Sequence, residues 1–397
     1  MPSTDRKPLV GPIVAQLALA LLGFWTLWPF PYNNGLLKHL KAQTEAGAVI
    51  PGPTIAPMKQ MYTGIGPVDN RLTILVSFFY TAIDGNRGDV SIAFLSLGSH
   101  VIAAWVLISI ESLRAGNKGK FFLVSTTLLG LAVAIVGFAV VAPLYFAYQL
   151  YASPTVSTPA GHNLLPSNSL SVILIPATIM IGFGLPSLIM TFPAPEVLSF
   201  ETKQLWTGIQ QGWTFWIYLS TVALTMVLSA LNPQMYTASS DVAQTKITKN
   251  LRRAYIFALA SAASAHLLPL LITSLATVFQ PLFAEPYRTQ LQLSNVFYLA
   301  NPFGQLKVAT LADGALWFLQ WDTFVGALSV LLWSLTLRLA TGSEETSTQE
   351  WVVGLIKIVA TVAVVGPTAA AVIAVWARDE TVLRQERLSG SQDKKAT

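Results

Sequence analysis

Residues 62–120 read YTGIGPVDNRLTILVSFFYTAIDGNRGDVSIAFLSLGSHVIAAWVLISIESLRAGNKGK. Within them the run from 89 to 112 is long and apolar enough to cross a bilayer as a helix, which takes about 20 residues. Asp69, Arg71, Asp84, Arg87, Asp89, Glu111 and Arg114 stand in and around that apolar sequence, in a chain that is only 11% charged. Ionisable groups placed against hydrocarbon are costly and by default mark a site. The stretch therefore reads as one half of a chamber inside a membrane protein.

Composition supports that reading. Of 397 residues, 53% are hydrophobic, whereas a soluble domain carries about 25% charged residues. The formal charge of +5 sits in short connecting segments, as the positive-inside rule expects. The partner it implies is the lipid bilayer, with no nucleic acid. With no cysteine there is no disulfide, thiolate metal site or cysteine nucleophile. Chemistry falls to carboxylates, four histidines, tyrosines and aromatic faces.

Eight or nine apolar stretches are candidate spans, at roughly 10–30, 70–85, 89–112, 121–152, 169–192, 204–231, 253–283, 316–340 and 352–377. The second is short and could be a re-entrant segment lining a cavity. The run 10–30 follows Arg6 and Lys7 but is too long for a signal peptide, and its flank WPFPYNN is too bulky for cleavage. It reads as a retained first helix. The expected fold is all-α: a polytopic bundle of 8–9 transmembrane helices with interfacial loop segments, one domain over 1–380, and a disordered polar tail over 381–397. Arg114, Lys118 and Lys120 place the loop after the third span in the cytosol, and the uncharged segment 153–167 in the lumen. Alternation then puts the N-terminus in the lumen, 31–70 in the cytosol and the C-terminus in the cytosol, in an endoplasmic reticulum membrane. Lys246, Lys249, Arg252 and Arg253 break the alternation, so either a span is miscounted or that loop is an exception.

Four carboxylates are candidate catalytic groups. Asp69 follows GIGP and either serves the chamber or caps the second helix. Asp84 lies four residues after Tyr80 on the same helical face, although Asp84-Gly85-Asn86 is also a turn signal. Glu111 is three residues before Arg114, within reach on one helix face; the two form either an interfacial ion pair or part of a site. His100 and Trp105 fall on spacings that could align them with Glu111. Asp322, in WFLQWDTF beside Trp321, has apolar or aromatic neighbours and no adjacent cation. A carboxyl so placed tends to keep its proton and can act as a general acid, unless it is only a helix cap. His266, among alanines and leucines, reads as a packing residue.

Absences narrow the chemistry. No NDxxD or DDxxD pattern supplies a carboxylate platform for magnesium and diphosphate. No Walker, dinucleotide-binding, HExxH or GxSxG motif occurs. No metal and no organic cofactor is expected. What remains is acid–base chemistry in an aromatic cavity, or binding and transport.

The words GIGPVDNRLTILVSFFYTAIDG and IESLRAGN resemble fungal integral-membrane terpene cyclases of meroterpenoid pathways, the group of the ascofuranone-type and macrophorin-type enzymes. The resemblance is strongest over 62–118. It implies protonation of an epoxide or terminal alkene on a farnesylated aromatic polyketide, carbocation ring closure, and loss of a proton, without metal. The 11 Trp, 11 Tyr and 20 Phe can shield a cation. The roles expected here are Asp322 or Asp69 as proton donor, Glu111 as its partner or the terminal base, and Asp84 in positioning. Tyr80, His100, Trp105, Arg114 and Trp321 are expected to line the substrate. The alternative is a multi-pass transporter or accessory membrane protein for a hydrophobic secondary metabolite.

Overall fold

The computed structural model describes residues 9–231, 240–341 and 348–396. Twelve longer helices carry the architecture: α1 Val10–Leu27, α2 Gly66–Ile83, α3 Gly88–Leu113, α4 Thr126–Val136, α5 Phe138–Ala152, α6 Ser169–Met190, α7 Phe200–Gln211, α8 Trp213–Leu231, α9 Ser240–Val278, α10 Leu311–Leu339, α11 Thr348–Val365 and α12 Pro367–Ala396. Six stretches of helix, Val10–Asn34, α3, α6, α8, Gln244–Val278 in α9 and α10, are long and apolar enough to cross a membrane. Shorter apolar helices pack beside them, giving a helical membrane bundle.

Side-chain bonds fix which ends lie together. Arg87, just before α3, binds Asp89 at 2.8 Å and Asp313 in the first turn of α10 at 2.7 Å. Thr310 and Asp313 close a reciprocal cap on α10, satisfying amides that a helix start leaves open. So α3 and α10 start at one end of the bundle. At the other end, Arg114 after α3 meets Asp379 of α12, and Tyr255 of α9 bonds the same carboxylate. Ser261 of α9 reaches the Ser99 carbonyl and Ser96 of α3 reaches the Ala265 carbonyl, so α9 runs antiparallel to α3.

Residues 121–152 are a hairpin of two half-helices. Thr126 and Thr127 share a cavity wall with Ser109 and Ser112 near the Arg114 end. The chain then descends to Gly137, turns, and returns until Gln149 reaches Glu111 at 3.2 Å. Gly137 has φ +109 and ψ 151, a conformation that strongly favours glycine. Residues 348–396 repeat the device: α11 and α12 meet at Gly366, φ +88, against His266, and α12 returns to Arg114.

These hairpins correct the expected topology. Segment 153–167 lies at the Arg114 end, because Thr155 bonds Glu111 and the Leu164 carbonyl accepts from Arg114. It is not on the opposite face. The start of α9, with the basic residues before Tyr255, joins that same end, which removes the charge exception. α1 also starts there: Gln16 pairs with Ser329, while Leu36 packs against Gly314 at the far end. The N-terminal side of α1 and the loop after α3 therefore share a face, and 31–65 lies on the other, because α2 is not a crossing. The stretch expected to be a disordered tail continues α12 to Ala396, with Val382 and Leu383 buried.

Candidate functional site

A helix broken inside hydrocarbon leaves backbone donors and acceptors that must find partners. At the end of α4, the Ile135 carbonyl accepts from Arg71 Nη2 at 2.7 Å and the Val136 carbonyl from Trp28 Nε1 at 3.1 Å. At the start of α5, the Ala139 amide donates to Asp322 Oδ1 at 2.6 Å. One cation and one carboxylate are thus pinned to the two sides of a single glycine break. Asp322 is 5% exposed and, among the described residues, no Lys or Arg bonds its carboxyl. It sits eleven residues from the start of α10, about 16 Å along the axis, and a similar distance from the level of Trp333.

Asp322 and Arg71 face one cavity of about 160 Å³. Its walls are Phe78 and Phe79 of α2, Phe94 and Gly98 of α3, Phe138 of α5, Phe183 of α6, Trp213 of α8 and Phe318 of α10, with Gln210 and Gln211 of α7 as further polar groups. Phe183 belongs to a π-helical turn, Met180–Gly184; such an extra residue in a turn re-aims side chains and recurs at functional sites. The rings meet mostly edge to face: Phe78 with Phe318 at 5.1 Å and Phe183 with Trp213 at 5.3 Å. Arg71 Nε has no partner, although buried.

The other expected residues lie elsewhere. Asp69 accepts from the backbone of Tyr62, Thr63 and Gly64 and from the Thr63 hydroxyl, at 2.7–3.1 Å. Burial alone would raise its carboxyl, but these bonds outweigh it and hold the group below its ordinary range. It ties the entry loop to α2. Asp84 closes the turn after α2 by accepting the Asn86 amide at 2.9 Å, and burial raises it. Tyr80 packs in a separate small core with Ile50, Met58 and Val76. Trp321 donates to the Ala300 carbonyl at 2.9 Å and packs with Leu27 and Phe30. Trp105 touches the main cavity only through Trp213, at 4.6 Å between rings, and borders a different pocket. His100 bonds the Thr368 hydroxyl at 2.8 Å and faces a second cavity on the other side of α3. The helical spacing did relate His100, Trp105 and Glu111, yet a helix packed on all sides shows each to a different neighbour.

Glu111 belongs to a sealed charge network. It binds Arg114 Nε at 2.7 Å and receives Asn117, Gln149 and Thr155. Arg114 spans to Asp379 at 2.8 Å, and Arg378 lies 3.5 Å from Glu111 and 3.0 Å from Asp379. Two acids and two cations, all almost wholly buried, join α3 and α12, with Tyr255 adding α9.

Sequence reasoning did not find Gly137, Phe183, Gln210, Gln211, Trp213 or the Arg378–Asp379 pair. A glycine inside the apolar run AIVGFAV and an Arg-Asp pair ending the run 352–377 were the available signals. Among the described residues no group of three or more His, Asp or Glu is placed to hold a metal ion.

The chain is 28% identical to a protein named terpene cyclase ctvD from Aspergillus terreus, over 91% of this chain and 96% of that one. It is 26% identical to terpene cyclase ascI from Acremonium egyptiacum, over 98% and 96%, and 27% identical to terpene cyclase verU1 from Penicillium polonicum, over 81% and 82%. No solved structure matches. A family model described as the CtvD domain matches residues 13–383, nearly the whole described bundle, and the chain therefore belongs to the CtvD domain family.

Proposed function

We propose that this chain is a terpene cyclase that works as an isomerase: Asp322 protonates an epoxide or terminal alkene of a farnesylated aromatic polyketide, and the aromatic cavity guides ring closure. The observation that carries the reading is a buried carboxyl without an ion-pair partner, held at a helix break and facing a cavity of aromatic walls. Neutral Asp322 gives its proton to the epoxide oxygen or alkene carbon. The C–O or C=C bond opens toward a tertiary cation, neighbouring alkenes attack in turn, and the last cation releases a proton. The carboxylate left on Asp322 is, among the described residues, the single anionic group on the cavity wall and can recover that proton, directly or through water. Substrate and product then have equal mass.

Physical chemistry supports each part. A carbocation persists where water is excluded, and ring faces stabilise it by about 0.5–2 kcal/mol each. The Ala139 amide and the positive end of α5 favour the anion that forms on Asp322. A cavity of about 150 Å³ accepts one benzene ring, so the space beside Asp322 suits the reacting isoprene end. Arg71 and the two glutamines, which line the same wall, suit the polar end of the substrate. Asp69, Asp84 and Glu111 take supporting roles, fixing the entry loop, the turn before α3 and the α3–α12 contact. The basic segments gathered at the Arg114 end favour a cytosolic face there, with the enzyme in the endoplasmic reticulum membrane. A second reading, carriage of a hydrophobic metabolite, draws on the two broken hairpins, since half-helices ending inside a bundle also build transport sites.

Microsomes carrying the chain are given a farnesylated phenol and, separately, its terminal epoxide. A cyclised product of unchanged mass is expected, and Asp322→Asn lowers its rate at least about 100-fold, the scale of a lost general acid. The asparagine still accepts the Ala139 amide, so folding is preserved while the proton is lost. Full activity in Asp322→Asn overturns the assignment; passage of substrate without product favours carriage.

A further inference from the structure

Beside Trp105, between α3, α4, α6 and α8, lies a pocket of about 150 Å³ whose walls differ in kind from those of the aromatic cavity. Most of its lining residues carry a hydroxyl, and no Asp, Glu, Lys or Arg lines it. Ser112, Thr178, Thr214 and Thr221 donate to backbone carbonyls. Ser109, Thr126, Thr127 and Ser171 do not: among the described residues their hydroxyls have no partner, and none of these four oxygens is sealed from open space. An uncharged cluster of donors and acceptors open to one space suits water, which takes about two to four such partners. Ser112 stands two residues before Arg114, and Thr126 begins α4 at the same end of the bundle. The pocket therefore fills from the Arg114 face.

Two indole rings part this pocket from the aromatic cavity. Trp105 lines the pocket and Trp213 the cavity. They meet edge to face, 4.6 Å between centroids at 77°, and Phe183 backs Trp213 on the cavity side at 5.3 Å. Gly130 lets α4 close on the same contact, because a Cβ there would overlap Thr214 and come within 3.0 Å of the Trp105 ring. One turn before Trp105 on α3, Val101 already lines the cavity.

We propose that the hydroxyl pocket holds water and that Trp105 is a specificity-determining residue, keeping that water from the cation. The chemical consequence rests on the cyclase reading above; the place of the water does not. With the indole present, the last cation loses a proton from a neighbouring carbon, an alkene forms, and the Asp322 carboxylate takes up the proton. With the indole removed, a water oxygen bonds to the cationic carbon and its surplus proton passes to the Asp322 carboxylate. The product is then a ring-closed alcohol, heavier than the substrate by one water.

The chain has no cysteine, so single introduced thiols report water without turnover. A thiol reacts as its thiolate, and apolar surroundings keep it protonated. The full-length chain in phosphatidylcholine nanodiscs is treated with aminoethyl methanethiosulfonate. Ser109→Cys should react at least about tenfold faster than Val101→Cys, and Trp105→Ala should bring the Val101→Cys rate up to that of Ser109→Cys. Equal rates with Trp105 in place overturn the proposal, as does a slow Val101→Cys in a folded Trp105→Ala chain. Trp105→Phe, which removes less volume, should move the rate the same way if Trp105→Ala does not fold, and the first comparison needs neither variant. Turnover of the farnesylated epoxide in heavy-oxygen water reads the chemistry. Trp105→Ala should raise the labelled, ring-closed alcohol relative to the alkene at least about tenfold, or ~1.4 kcal/mol in relative barrier. An unchanged ratio overturns the specificity role. If the unmodified chain closes no ring, the cyclase reading falls and that role with it, whereas the thiol rates still decide where water lies.

Discussion

Replacing Glu111 by glutamine should cost fold stability and leave the chemistry of each folded molecule intact. The side chain is fully buried, bonded to Arg114 at 2.7 Å and within 3.5 Å of Arg378. The network holds two acids and two cations, so Glu111→Gln leaves one uncompensated positive charge in a sealed site. Breaking a buried pair in this way costs about 3–5 kcal/mol. Converting Arg378 to methionine in the same chain removes the surplus charge, and the double variant should recover at least about 1–2 kcal/mol, a coupling within the range seen for contacting residues. Thermal unfolding in detergent, with turnover normalised to folded protein, gives both numbers. If Glu111→Gln is as stable as the unmodified chain and loses turnover, the network reasoning fails, because the carboxylate would then be reaching substrate.

The remaining expectations concern the break, the entry loop and the arginine of the cavity wall. Gly137→Ala places a Cβ against Leu27 and forces a strained φ. The backbone contributes about 1–3 kcal/mol and overpacking about 1–3 kcal/mol, and Leu27→Ala in the same chain should relieve the second part alone in a thermal melt. Asp69 lies below its ordinary range, so its contribution is complete above the unfolded carboxylate pKa near ~3.9 and is lost as pH falls through its folded value. Proteolysis at residues 60–65 should therefore stay flat from neutral pH to about 5 and rise only below ~4. Arg71→Met should raise KM for substrates with a polar aromatic head more than it lowers kcat, because the head group binds alike in ground and transition states; an equal fall in kcat alone refutes that role.

The all-α membrane class and the six long apolar helices were legible because both depend on local sequence through hydrophobic length; the apolar and aromatic neighbours of Asp322 likewise suggested its burial without a bonded cation among the described residues. Topology was not legible, since it turned on whether 121–152 crosses or returns. A largely apolar run of 32 residues holding two glycines, Gly130 and Gly137, satisfies a hydropathy window either way; what decides is whether side chains elsewhere, here Arg71, Trp28 and Asp322, meet the backbone groups freed at the break at Gly137. The same long-range dependence hid the partner of Glu111. Arg114 was visible three residues on, but Arg378 and Asp379 lie more than 260 residues away and read locally as the start of a polar tail.

Asp322 is both a cap and, in the proposed chemistry, an acid, and the two roles support one another. A cap on the first turn of α5 is strongest when the carboxyl is ionised, whereas a carboxyl in an apolar wall is most stable when neutral. In the proposed chemistry the resting carboxyl carries a proton that the helix end is ready to see leave. As the proton moves to substrate, the Ala139 amide, already at 2.6 Å, needs no reorganisation to meet the new negative charge, which is the condition under which a fixed dipole lowers a barrier. Asp322→Glu tests the coupling. It keeps an acid and adds one methylene where the Ala139 amide binds the carboxyl and Gly137 lies close. Retention of the proton without the geometry should leave turnover well below that of the unmodified chain, yet above that of Asp322→Asn. Equal activity in the aspartate and glutamate forms would mean that the cap plays no part in the proton transfer.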